Sequence, residues 1–177
     1  TICAWVYNDA VVTDEIFSAS DSVNAGIRLM TRSTGKFRYR LDDANIESGT
    51  DSFVANKWYF VAATYDGTNL KLYKNGSLVN QTDALNGVIN LSGAADFNIG
   101  YFNHSGIDRY FNGNIDDVRL WNIVRSDLQI KGFRNTILQG DETGLVGYWK
   151  FDETSGSILN DETSNSNNGN INGVSLT

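Results

Sequence analysis

The order of residues predicts an all-β fold: two antiparallel sheets stacked as a jelly-roll sandwich, with one short helix in the C-terminal half. Three observations carry this expectation. Short runs of alternating apolar and polar residues recur along the chain, Gly, Asn, Asp and Ser punctuate them, and a single run has helical spacing. The clearest stretch is residues 56–76. There Trp58 to Tyr65 and Leu70 to Tyr73 flank Asp66-Gly67-Thr68-Asn69, which is turn chemistry, and Asn75-Gly76 supplies a second turn. Trp58, Phe60, Ala62 and Thr64 alternate with Tyr59, Val61, Ala63 and Tyr65. Neither set is strongly polar, which places this hairpin inside the sandwich.

The remaining elements follow in chain order. Residues 2–7 form an apolar strand, 16–19 a short second one, and 20–24 a loop. Residues 26–32 and 36–41 make a hairpin around Ser33-Thr34-Gly35, one face core and the other a row of arginines, Arg28, Arg38 and Arg40. A polar stretch, 42–51, precedes the central hairpin. A loop over 82–87, an extended piece over 88–91 and a strand over 96–102 follow, the last with Phe97, Ile99 and Tyr101 on one side. Residues 103–110 read as a loop, and 114–121 as an alternating strand. Ser126 and Gln129 have capping-box spacing, and Ile130, Phe133 and Ile137 fall on one helical face before Gly140 stops it. Residues 144–152 form a late strand, and a Ser-, Asn- and acid-rich segment leads to a last strand over 171–176. The whole of 1–177 is read as a single domain.

The totals narrow the function. Net charge is −7, with 21 acidic residues against 14 Lys and Arg, a balance opposed to binding nucleic-acid backbones. No apolar run reaches the roughly 18 residues of a membrane helix, so no membrane insertion is expected. Cys3 is the sole cysteine, which rules out an internal disulfide, and its apolar strand points to a buried, inert thiol.

Four segments, spread in order over nearly the whole chain, resemble laminin G-like, or concanavalin A-like, jelly-roll domains of bacterial surface proteins, distant structural relatives of pentraxins. They are residues 1–6; 58–67 with Leu72-Tyr73-Lys74-Asn75-Gly76; 113–122; and 145–153 with the Asn-rich tail. The resemblance implies an extracellular or cell-surface recognition domain. Such domains usually begin with a strand ahead of the one starting at Thr1. No such strand is visible ahead of Thr1, so either the sequence starts late, or another segment fills the gap, or a neighbouring chain completes the sheet, which would be a route to self-assembly.

Two sites follow from residue types. Tyr101, Asn103, His104, Asp108, Arg109 and Tyr110 gather aromatic rings, which cover the C–H side of a pyranose, with planar polar groups able to take paired hydrogen bonds. Asp161, Glu162, Asn165, Asn167 and Asn168, with Asp152 returning nearby, crowd the oxygen ligands that calcium prefers, as loops of similar domains do. Asp116 and Asp117 form a second acidic pair, which strand alternation sends to opposite faces. Trp5, Trp58, Trp121 and Trp149 are read as core. No strand carries acids at glycosidase spacing, and His104, the sole histidine, has no adjacent nucleophile pattern. The expected function is non-catalytic, calcium-assisted carbohydrate binding. Its alternative is an adhesive or structural module whose partner is an extracellular protein.

Overall fold

The computed structural model describes residues 1–19, 26–83, 97–104 and 106–173, the side chains of Asp83 and His104 excepted. The expected loop at 20–24 and extended piece at 88–91 lie outside the described residues, as do residues 84–87 of the expected loop at 82–87 and residues 174–176 of the expected last strand. The strands are β1 (Ile2–Asn8), β2 (Glu15–Ala19), β3 (Ile27–Thr31), β4 (Phe37–Leu41), β5 (Ala44–Glu47), β6 (Trp58–Tyr65), β7 (Asn69–Lys74) and β8 (Ser77–Asp83). After them come β9 (Phe97–Ile99), β10 (Tyr101–His104), β11 (Ile107–Tyr110), β12 (Gly113–Trp121), α1 (Asp127–Phe133), β13 (Leu145–Trp149), β14 (Ile158–Leu159) and β15 (Gly169–Asn170). Among the described residues six strands form one sheet in the order β13-β12-β1-β6-β7-β8, five form a second in the order β5-β4-β3-β2-β9, and β10-β11 and β14-β15 are two-stranded ribbons. Every pairing is antiparallel.

The core between the sheets is built from alternate residues of each strand, among them Ala4, Val6, Leu29, Phe37, Tyr39, Tyr59, Val61, Leu72 and Trp149. The outward residues of β1 and β6 are apolar as well, and α1 explains why. Ile130 of the helix packs on Cys3, Phe60, Ala62 and Tyr73, so the middle of the six-stranded sheet is covered on both faces. Burial pushes the Cys3 thiol up to about 11, in keeping with an inert side chain.

The helix begins where the capping box places it. The Ser126 hydroxyl accepts from the Gln129 amide and the Gln129 side chain accepts from the Ser126 amide. It ends earlier than the expected run to Ile137. The guanidinium of Arg119, itself buried, donates to the carbonyls of Phe133 (2.6 Å) and Thr136 (2.8 Å), drawing the chain out of helical register after seven residues. Leu138 takes the buried place, and Ile137 is 74% exposed.

Other departures from the expected elements have local causes. The strand expected over 96–102 breaks at Gly100, whose φ of +73° turns β9 into β10, so Tyr101 leaves the side occupied by Ile99. The loop expected over 103–110 is instead a two-stranded ribbon. The polar stretch 42–51 hides β5, in which Ile46 is the only buried residue. A bulge in β12 sets Asp117 and Val118 against Ala4 alone, with Asp117 at φ +53°. Alternation therefore fails there. Ile115 and Val118 both reach the core, and Asp116 and Asp117 share the outer face.

Candidate functional site

The ribbon of β10 and β11 lies over the outer face of the five-stranded sheet. Its register pairs Tyr101 with Tyr110, Phe102 with Arg109, Asn103 with Asp108 and His104 with Ile107. Side chains alternate, so Phe102 and Arg109 turn toward the sheet while Tyr101, Asn103, Asp108 and Tyr110 share the outer face. Phe102 is buried against β2 and β3, where the Arg28 guanidinium stacks 3.6 Å from its ring centroid. Arg28 in turn grips Glu15 through two hydrogen bonds, Nε to Oε1 at 2.8 Å and Nη2 to Oε2 at 2.7 Å. Both side chains of that pair are almost wholly buried. The Ser18 hydroxyl completes the attachment by donating to the Tyr101 carbonyl at 2.8 Å.

Arg28 is thus no part of a solvated arginine face. Arg38 pairs with Glu47, and Arg40 donates to the Asp42 carbonyl. The cationic row serves the sheet.

The outer face of the ribbon presents an aromatic pair with polar groups beside it. The rings of Tyr101 and Tyr110 stand 4.9 Å apart at 34°, and Tyr110 is 66% exposed. Asp108 accepts from the Tyr101 hydroxyl at 3.1 Å and from the Asn103 amide, leaving its second oxygen and the Asn103 carbonyl for a ligand. Of the six residues expected to bind, four converge on this face. Arg109 lies beneath, where burial first and then the Arg28 charge lower the affinity of its guanidinium for a proton. The His104 backbone ends β10, and its side chain is outside the described residues.

The Asn-rich segment has a different role. Asp161 is buried, and its carboxylate accepts four protein donors: the amides of Tyr148 (2.9 Å), Thr163 (3.0 Å) and Asn167 (2.9 Å) and the Thr163 hydroxyl (2.8 Å). Burial alone would raise its pKa, but those donors outweigh it and hold the carboxyl below its ordinary range. Asn165 and Asn167 both donate to the Val146 carbonyl, and Glu162 donates its amide to the Tyr148 carbonyl. Residues 161–167 therefore clothe the free edge of β13. Asp152 stays apart from them, exposed, and its charge bears on Asp116 and Asp117 instead. Among the described residues no three acidic, His or Cys side chains stand close enough to share a metal ion. With both Asp161 oxygens saturated by N–H and O–H donors, this set does not fit a calcium ion.

The tryptophans divide. Trp121 and Trp149 are core residues, whereas Trp5 is half-buried and Trp58 is 41% exposed on the outer face of the six-stranded sheet. Their strand positions alone could not show this, because α1 covers only part of that face.

Comparisons with known proteins agree with the architecture. Mouse pappalysin-1 is 26% identical over 146 residues, 77% of this chain and 9% of that protein. A candidate carbohydrate-binding protein from Bacteroides ovatus superposes with a TM-score of 0.80 at 24% identity, over 97% of this chain and 51% of that one. The CBM40 module of a Ruminococcus gnavus IT-sialidase, solved with α2,3-sialyllactose bound, gives a TM-score of 0.61 at 16% identity over 76% of this chain and 81% of that one. The chain spans about half the length of the Bacteroides ovatus protein (51%) and under a tenth of pappalysin-1 (9%). At these identities the structural likenesses establish the fold. The family model for the concanavalin A-like lectin/glucanases superfamily matches residues 1–131, and the chain belongs to that superfamily.

Proposed function

We propose that this domain is a non-catalytic carbohydrate-binding module acting outside the cell or at its surface, with the outer face of the β10–β11 ribbon as its saccharide site. The observation that carries this reading is the Tyr101–Tyr110 pair, half-buried and exposed respectively, flanked by Asn103 and Asp108. Stacked phenol rings take the apolar face of a sugar, and the amide and carboxylate take its hydroxyls. That the Ruminococcus gnavus module with the same fold was solved with a sialylated sugar adds support. The engagement of Asp117 through both oxygens by Arg119 supports binding over hydrolysis.

Glycan-array binding of the wild type and of a Tyr101→Ala/Tyr110→Ala variant tests the reading. The variant should lose about tenfold in affinity, roughly the worth of two aromatic contacts, with an unchanged melting temperature. Equal binding by the two proteins would remove the ribbon from the site.

Calcium is the part of the reading that the geometry favours least. Thermal melts in EDTA and in millimolar calcium are expected to coincide, because Asp161 already has its full set of donors. A stabilisation that rises with calcium concentration would restore the ion. Assembly by strand addition is likewise the weaker alternative. β1 is paired on both sides and the edge of β13 is taken by residues 161–167, which leaves such an addition only the ends of the sheets at β8, β5 and β9.

A further inference from the structure

The outer face of the six-stranded sheet carries a second concave surface, distant in the fold from the ribbon. It exists because α1 is short. The helix roofs Cys3, Phe60 and Ala62, then ends, and the sheet beyond it stays open. There Trp5, Trp58, Asp116, Asp117, Asn135 and Ile137 line a groove of about 450 Å³. The surface is open rather than enclosed, as suits an extended ligand laid across it.

The groove is rigid where it would need to be. Trp5 donates its indole N–H to the Arg134 carbonyl at 2.9 Å and packs on Phe60 with ring centroids 5.5 Å apart. Trp58 leans on Tyr7, with centroids 5.6 Å apart at 53°, which sets the indole while leaving 41% of the residue exposed. An exposed indole that costs apolar hydration, held by a neighbouring ring, is a ready platform for the C–H face of a sugar. The bulge at Asp117 supplies the polar side. It turns Asp116 onto the same face, exposed, while Arg119 holds Asp117.

We infer that this groove is a second saccharide-binding surface, selective for neutral glycans, with Trp58 as its stacking ring and Asp116 as its hydroxyl acceptor. Charge makes the choice of occupant. Arg134 also lines the groove, but its guanidinium is drawn to the Asn75 carbonyl and Arg119 is spent on Asp117, so Asp116 and the nearby Asp152 oppose anionic sugars, whereas a carboxylate accepts readily from a neutral sugar's hydroxyls. The ribbon and the groove lie on the outer faces of opposite sheets, so a domain using both would bridge two glycan chains.

The test uses an array of immobilised neutral and uronic-acid polysaccharides, read with five proteins: wild type, Tyr101→Ala/Tyr110→Ala, Trp58→Ala, those three changes combined, and the ribbon variant carrying Asp116→Asn. Each variant's melting temperature is measured alongside. The ribbon variant should retain binding to at least one neutral polysaccharide. Adding Trp58→Ala should weaken that binding at least fivefold, and Asp116→Asn in the ribbon variant should reduce it several-fold. Uronic-acid polymers should not be retained. If the ribbon variant binds no neutral polysaccharide, or if its retained binding is indifferent to Trp58→Ala, the groove is not a glycan site. Failure of the ribbon reading looks different: the ribbon variant would then match the wild type across the whole array.

Discussion

Replacing Asp161 by Ala is expected to cost about 3 kcal/mol of unfolding free energy. The substitution strands the Tyr148 amide in the core and deprives the Thr163 and Asn167 amides of their acceptor, and each such loss is worth about 1–3 kcal/mol, least where water can enter. Asp161→Asn keeps one acceptor oxygen and should cost less. The same carboxylate gives a signature in pH. Its folded pKa lies below the ordinary 3.8, so its contribution is fully present above that value and is lost as pH falls through the folded pKa. Urea titrations at neutral pH and at about pH 3 check both statements. Wild type should lose more stability across that interval than Asp161→Asn. Equal slopes for the two proteins would show that Asp161 is not the organising charge of the β13 edge.

The second large effect concerns the seat of the ribbon. Arg28→Met leaves Glu15 buried without its cation and should cost about 3–5 kcal/mol. Replacing both residues, as Arg28→Met/Glu15→Leu, should recover most of that loss, because the cost resides in the orphaned charge rather than in the missing attraction. A double-mutant cycle by urea denaturation measures the coupling. Saccharide affinity should fall in Arg28→Met and in the double variant alike if Phe102, clamped beneath the guanidinium, is what holds the Tyr101–Tyr110 face in place. A cycle with no coupling would make the pair incidental to the fold.

Much of this architecture is legible from residues alone, and the reason is periodicity. The β6–β7 hairpin and its Asn75-Gly76 turn follow from alternation and turn chemistry, and both turn residues sit at positive φ, 53° and 80°. The helix start follows from Ser126 and Gln129. What alternation misses are the places where it is broken. At Asp117 a bulge puts two neighbouring acids on one face, and at Gly100 a turn splits one strand into parts of two sheets. The ribbon residues were recognisable as a cluster, since aromatic and amide side chains stand together in the chain. Their division into an outward face and a half-buried, sheet-facing Arg109 needed the register. The Asn-rich segment was legible only as a concentration of oxygen atoms. Whether such atoms meet a cation or backbone amides depends on β13, distant in sequence, offering its edge to residues 161–167.

The early end of α1 has a consequence for divergence within the fold. One further turn advances a helix by about 5.4 Å, into the segment after α1 that lines the groove together with Trp58. Insertion or deletion of three or four residues near position 134 would then decide whether this flank of the sandwich is shut or open to solvent. Relatives could gain or forfeit a docking surface there by changing helix length alone, with every strand left in register.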